Sequence, residues 1–295
     1  MKWFDYASPA TVREAVDLLA QHGERARVLA GGTDLLVQMR SGKRTPDFIV
    51  DIKKIPELNE LSYDPKTGMT LGAATPCYQI CRNAAVSEAY PGLIDVASMI
   101  GGTLIQGRAS IGGNLCNAAP SADAVPVLIA LGVKCKIASA KGERELAVED
   151  FCTGPGQTVL RPGELLVSLH FPAPKAGSGA KYLRFIPRNE MDIAVAGAGV
   201  SVVLNNGNFV SARIALAAVA PTPLLVKEAG EALAGKPVNE ENIERAADLA
   251  RRAARPISDM RGTIEYRQHL CAVLTRRALA GAIERARKPA NKEKR

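Results

Sequence analysis

Val12, Ala15, Val16 and Leu19 recur at the spacing of one helical face, with Ser8-Pro9 as cap and first turn and Gly23 as the stop. The short apolar run Arg27-Val28-Leu29-Ala30 leads into Gly31-Gly32-Thr33-Asp34, after which Leu35, Leu36 and Met39 return to helical spacing. The order strand, glycine turn, helix follows. Phe48 to Ile52 is nearly all apolar and β-branched, which predicts a buried parallel strand. Residues 1–60 therefore read as a small α/β unit.

Met69 to Ala73 reads as a strand, and Pro76 opens a helical stretch that runs to about Ile100. From Gly101 to Asp123 the chain is glycine-rich without a period, which predicts ordered loop. Ala124 to Leu131 reads as helix, and Lys134 to Ala138, Arg144 to Val148 and Leu165 to Phe171 as strands. The run from Pro172 to Gly179 is a linker in composition, so a second unit spans 61–176 and a third 177–288. In the third, apolar strands at 194–204 and 209–218 flank Asn205-Asn206-Gly207-Asn208, a hairpin signal. Helices follow at 224–233, 240–253 and about 262–287, so an antiparallel sheet backed by helices is expected. No internal repeat is evident.

The net charge of +8 adds less than it suggests, because half the excess lies between Ala286 and Arg295, and 289–295 reads as a solvated basic tail. Aromatic residues are only 4%, too few for the stacking platforms of single-strand binders, so nucleic acid is not expected as a partner. No apolar run approaches the roughly 18 residues of a membrane span, and the start lacks a secretory signal, which predicts a cytoplasmic protein. Six scattered cysteines without a CxxC pair indicate neither a disulfide framework nor a metal cradle. His22, His170 and His269 share no context with a nucleophile, so no catalytic residue and no metal ligand is assigned.

Three stretches could carry chemistry. In Leu29-Ala30-Gly31-Gly32-Thr33-Asp34-Leu35, paired glycines let backbone amides approach an anion at a helix start, which suits a pyrophosphate; taken alone, a tight strand-to-helix turn needing a positive φ at one glycine explains the pair more readily. It is not a GxGxxG fingerprint, which argues against a Rossmann nicotinamide site. In Ser110-Ile111-Gly112-Gly113-Asn114, followed by Asp123, a second glycine pair stands beside asparagine donors, and Asp123 either accepts from ribose hydroxyls or caps the next helix. Two such loops roughly eighty residues apart fit a ligand whose diphosphate is gripped from two sides. The charged run from Arg184 to Asp192 and Ile193 could sit over a bound ring or form a solvated edge.

The segments LAGGTDLL, ASIGGNLCNAAPSAD, ELLVSLHFP, RNEMDIAVAGAGVSV and LAAVAPTPLLVKEAG occur in an order and at intervals that resemble the FAD-binding medium subunit of molybdenum hydroxylases, the family of xanthine, carbon monoxide and nicotinate dehydrogenases. The likeness runs from about Phe4 to about Arg285. It implies an α+β chain: a two-lobed FAD-binding domain of the vanillyl-alcohol-oxidase (PCMH) type, then a C-terminal α+β domain with an antiparallel sheet and helices. By the same resemblance Leu29 to Leu35 and Ser110 to Asn114 hold the FAD diphosphate and Asp123 meets the ribose or ribityl region. Ile100 and Leu166 line the cleft, Arg184 stands where the family often has lysine, and Ile193 lies near the flavin ring.

The implied role is relay. A large subunit with the molybdenum cofactor oxidises substrate, a small subunit with 2Fe-2S clusters passes electrons on, and FAD on this chain collects them for an external acceptor, with a dimer of heterotrimers as the usual assembly. The chain runs straight from Asn114 to Asp123 without the cysteine-bearing insertion of relatives with an extra 4Fe-4S cluster, so no cluster is expected here. Thr33-Asp34 stands where the carbon monoxide enzymes have His-Ser, which disfavours that substrate. The rival readings are a stand-alone FAD oxidoreductase of related fold and a nucleotide-binding module without redox work.

Overall fold

The computed structural model describes residues 1–288; the basic tail 289–295 lies outside the described residues. The first lobe contains β1 (Asp5–Ala7), α1 (Val12–His22), β2 (Ala26–Leu29), α2 (Leu35–Arg40) and β3 (Phe48–Asp51). Its sheet has the order β1-β3-β2, with both pairings parallel and the apolar β3 in the centre. Ala15, Val16 and Leu19 of α1 pack with Val50, Ile52, Ile55 and Leu58. The helix is capped by Thr11, whose hydroxyl accepts from the Glu14 amide at 3.2 Å, and not by Ser8-Pro9. Thr11 is the first residue whose hydroxyl reaches the unpaired amides of the turn, a contact worth about 1 kcal/mol.

The second lobe follows with β4 (Leu61–Asp64), β5 (Gly68–Gly72), α3 (Cys77–Arg82), α4 (Ala84–Ala89), α5 (Pro91–Ala97), α6 (Thr103–Gln106), α7 (Ile111–Asn117) and α8 (Ala124–Ala130). It continues with β6 (Lys134–Ser139), β7 (Gly142–Ala147), β8 (Cys152–Gly154), β9 (Gln157–Thr158) and β10 (Leu165–Phe171). The order β4-β5-β10-β6-β7 is antiparallel throughout, and β8 pairs with β9 as a separate hairpin. The single helical stretch expected to Ile100 is three helices. Asn83 breaks the first by taking an extended conformation and capping α4 through the Val86 amide, and Tyr90 leaves helical geometry because Pro91 follows it. The segment expected to be loop from Gly101 to Asp123 contains α6 and α7, so the second glycine pair sits in the first turn of a helix.

The remaining elements are β11 (Ser178–Phe185), β12 (Ala196–Asn205), β13 (Asn208–Ala217), β14 (Leu224–Leu225), α9 (Lys227–Leu233), α10 (Glu240–Ala253) and α11 (Ile264–Arg287). The sheet order is β11-β12-β13-β14, antiparallel, with α9, α10 and α11 burying one face. Asn206 and Gly207 turn the expected hairpin with φ of 47° and 78°, the left-handed pair that matches strand twist. β11 lies where the sequence pattern predicts no strand, and the first residues of the helix expected from Leu224 form β14 instead.

β11 is the strand that fixes this sheet to the second lobe. Asp95 of α5 accepts from both Arg285 nitrogens at 2.6 and 2.8 Å, from Lys181 at 3.2 Å and from the Tyr182 amide at 3.1 Å. Asp123 accepts from the Tyr182 hydroxyl at 2.7 Å and from Arg184 at 2.5 Å. Two carboxylates on one lobe thus hold three cations and a tyrosine from the other side, most of them largely buried.

Candidate functional site

The two glycine pairs face each other across a cleft of about 740 Å³ between the first and second lobes, a size typical of small-molecule sites. Ala30, Gly31, Gly32, Thr33, Asp34 and Leu35 line one wall; Ser110, Gly112, Gly113 and Asn114 line the other, with Ile100 and Leu166 between them. These are twelve of the seventeen residues expected from the sequence, drawn together from three distant stretches. Leu29, Ile111, Asp123, Arg184 and Ile193 do not line it.

The glycines differ in their reasons. A Cβ on Gly31 would stand 1.9 Å from the Arg108 carbonyl oxygen, and one on Gly112 would stand 2.4 Å from that of Ala73. The first member of each pair therefore lets the chain pack against itself. Gly32 has φ of +79°, which disfavours a side chain, whereas a Cβ on Gly113 would meet only Ser110 Oγ at 3.0 Å. A Cβ on Gly32 would also meet the Leu29 and Leu36 side chains at 3.1 Å, so it is Gly113 whose backbone stays open toward the cleft.

The amides between Gly31 and Asp34 make no hydrogen bond among the described residues, and those opening α7 have no helical partner except Gly113, which donates to Ser110 Oγ at 3.0 Å. Donors from two loops thus converge on one volume, an arrangement that fits an anion such as a diphosphate. Asp34 lines the same wall without capping α2, its side chain exposed to solvent.

Of the five displaced residues, Ile111 is fully buried in the core of the second lobe. Asp123 neither faces the cleft nor caps α8: its oxygens are taken by Tyr182 and Arg184, and the cap is Asn114, whose Oδ1 accepts from the Ala124 amide at 3.2 Å. Arg184 reaches back to the Met99 carbonyl at 3.4 Å, one residue before Ile100, so its link to the cleft is through backbone. Ile193 is half exposed in the loop between β11 and β12, and Leu29 belongs to β2.

Other cleft residues carry no local signal. Gln38 donates to Asn117 at 2.9 Å, a contact between α2 and α7 over 79 residues, and accepts from Arg44 at 2.9 Å. Arg27, Arg44, Thr153, Gln157, Thr158 and Arg161 also line the walls.

The family model described as the FAD binding domain in molybdopterin dehydrogenase matches residues 2–174, and the CO dehydrogenase flavoprotein C-terminal domain matches 181–282. The xanthine dehydrogenase FAD-binding subunit of Escherichia coli O157:H7 is 33% identical over 287 residues, covering 96% of this chain and 98% of that one. The chain belongs to the molybdopterin-dehydrogenase FAD-binding family.

The carbon monoxide dehydrogenase medium chain of Afipia carboxidovorans is 34% identical over 96% of this chain and 98% of its own length. Xanthine and carbon monoxide members are thus equally similar, and identity alone does not separate them. A solved carbon monoxide dehydrogenase of Hydrogenophaga pseudoflava, lacking the Mo-pyranopterin moiety, superposes with a TM-score of 0.93 at 32% identity, over 96% of this chain and 98% of that one. The two-lobed FAD-binding domain and the C-terminal α+β domain of the family are therefore the architecture of this chain. Its cleft suits the family's cofactor: the unpaired amides of the first glycine loop match a diphosphate, and Gly113 on the facing wall has only Ser110 Oγ near the place of its absent Cβ.

Proposed function

We propose that the chain is the FAD-carrying electron-transfer subunit of a multi-subunit molybdenum hydroxylase. The observation that carries this is the cleft with two convergent glycine loops, in a chain that matches FAD subunits of such enzymes over nearly its whole length. FAD, when bound, collects electrons singly and releases them in pairs.

The chain's own task is to hold and orient. The amides of Gly32, Thr33, Asp34 and Leu35, with that of Gly112, take the diphosphate, while Ser110 keeps the Gly113 amide in place. Ile100 and Leu166 flank the cofactor with apolar surface that limits water. Asp123 and Arg184 act from outside the cleft by fixing the Met99–Ile100 backbone. No group of this chain acts on the primary substrate. The electron donor is a small 2Fe-2S subunit, the large subunit carries the molybdenum cofactor, and the assembly is a dimer of heterotrimers. A cytoplasmic setting agrees with six free cysteines and with the absence, among the described residues, of a helix long and apolar enough to cross a membrane.

The test is a visible spectrum of the purified chain, with the released cofactor identified by mass, alone and after co-expression with its chromosomal neighbours. Released FAD, with iron-sulfur absorbance only in the presence of partners, is the expected result. A flavin-free protein in both preparations would sink the proposal and leave a nucleotide-binding module.

A further inference from the structure

The wall of the cleft formed by the first lobe carries two arginines with unused donors, beside two carboxyl side chains, Glu24 and Asp34, that form no ion pair with them among the described residues. Arg27 and Arg44 both line it, and among the described residues neither is in an ion pair. Arg27 uses one terminal nitrogen on the Glu24 and Ala26 carbonyls at 2.8 and 2.7 Å, leaving its other nitrogens free. Arg44 gives Nε to Gln38 and keeps both terminal nitrogens free.

The acidic side chains of the same cleft form no ion pair with them among the described residues. Glu164 is engaged by Arg144 through two 2.8 Å contacts, and the Arg161 charge also faces it. Glu24 and Asp34 are both exposed and form no ion pair among the described residues, and the Glu24 charge reaches Arg27 only at longer range. Burial first, and the neighbouring Arg44 charge second, pull the Arg27 guanidinium below its ordinary value, with the Glu24 charge acting in the opposite sense. Two half-buried guanidinium groups with unused donors on the wall of one cleft suit an anion.

The second cation is also held in place. The chain Arg44 to Gln38 to Asn117, with both links at 2.9 Å, runs from the first lobe to the end of α7, the helix that begins at the second glycine pair. Arg44 is thus anchored to both walls.

We infer that Arg27 and Arg44 form a guanidinium clamp for the phosphate groups of the flavin dinucleotide, with Gln38 and Asn117 as positioning residues that present Arg44 to the cleft. The inference rests on the proposed FAD-subunit reading and adds to the loop amides two full charges, which complement the two charges of a diphosphate. Amides at the loops fix position; the arginines supply the charge and the dependence on salt.

The test uses a ladder of probes on the full chain stripped of flavin: FAD, ADP and riboflavin, the last without phosphate. In Arg27→Gln or Arg44→Gln the dissociation constants for FAD and ADP are expected to rise at least about tenfold, as for a lost charge-assisted contact, while that of riboflavin stays unchanged. Arg44→Lys should recover part of the loss, and Gln38→Leu should resemble a mild Arg44→Gln. Equal weakening of riboflavin, or unchanged FAD and ADP, overturns the clamp.

A measurement without variants keeps the idea exposed if a variant fails to fold. In the wild-type chain, phenylglyoxal labelling read by mass spectrometry should find Arg27 and Arg44 protected by FAD and by ADP and not by riboflavin; absence of protection by FAD is fatal. Binding of ADP to the holo chain without release of FAD would also overturn it, because the clamp would then serve a second nucleotide. Protection by ADP in a chain that never retains flavin would instead refute the FAD-subunit reading and leave a phosphate clamp standing.

Discussion

Gly112 and Gly113 are neighbours in one motif, yet their packing predicts opposite responses to the same substitution. A methyl group at 112 would meet the Ala73 carbonyl oxygen at 2.4 Å and the Ala73 Cα at 2.6 Å. Ala73 cannot yield cheaply, because its amide is bonded to the Val167 carbonyl at 2.9 Å and so to β10. The helix gains about 1 kcal/mol from alanine, while overpacking against backbone costs about 3 kcal/mol, so Gly112→Ala should lose about 2 kcal/mol. At 113 the new methyl meets only Ser110 Oγ at 3.0 Å, which moves at the expense of its cap bond. The same helix gain then offsets a cap loss of about 1 kcal/mol, and Gly113→Ala should be nearly neutral.

Urea or thermal unfolding of flavin-free preparations measures this, since bound cofactor would add its own stabilisation. The expected drop for Gly112→Ala is roughly 4–8 °C in Tm, against little change for Gly113→Ala. Gly113→Val, with bulk directed at the cleft, should fold and retain far less FAD. Equal destabilisation by the two alanines, or stoichiometric flavin in Gly113→Val, would refute this assignment of the pair.

Three further outcomes follow. Asp95→Asn leaves Arg285 and Lys181 without their carboxylate in a largely buried setting, and should cost about 2–3 kcal/mol after allowance for their partial exposure, read as a lower urea midpoint. Contacts with Arg144 hold the Glu164 carboxyl below its ordinary range; a depressed carboxyl contributes stability that is full above its unfolded pKa and lost as pH falls through the folded value. Glu164→Gln should therefore flatten the stability loss measured below about pH 4.5, and an unaltered acid limb would count against the pairing. Burial pushes the Cys77, Cys116 and Cys271 thiols up to about 12 and Cys152 to about 11, and also raises Cys81 and Cys135. Native protein at pH 8 should alkylate far more slowly than an exposed thiol, with all six cysteines reacting in denaturant; a fast native thiol would contradict this burial.

What was legible in the sequence was local. The hairpin at Asn206-Gly207, the strand Phe48–Asp51 and the helix Glu240–Ala253 each announce themselves through residues that touch or cap one another nearby. The breaks at Asn83 and Pro91 also had local causes, a cap and a pre-proline residue, but the apolar spacing on either side continued through them. β11 was hidden because Lys181 and Arg184 make its pattern polar, and their partners Asp95 and Asp123 stand 86 and 61 residues away. The glycine pairs were legible as a motif but not in their division of labour, which depends on Arg108 and Ala73 in other elements. Gln38 and Asn117 give no sequence signal, since their contact exists only once both lobes are folded.

Asp123 and Arg184 show how a residue can matter to a cleft that it does not touch. The segment between α7 and α8 is tied down at three points: Gly156 donates to the Ala118 carbonyl at 2.9 Å, Ala218 donates to that of Pro120 at 2.7 Å, and Tyr182 and Arg184 hold Asp123. Two of these ties come from the C-terminal domain. That segment carries α7 at one end, and α7 carries the second glycine pair at its start, so docking of the C-terminal domain limits where those amides can stand. Arg184 exerts the same restraint on Ile100 through the Met99 carbonyl. The C-terminal domain thus contributes no residue to the cleft lining and still sets the positions of one of its walls, which gives its buried charges a role in cofactor geometry as well as in domain docking.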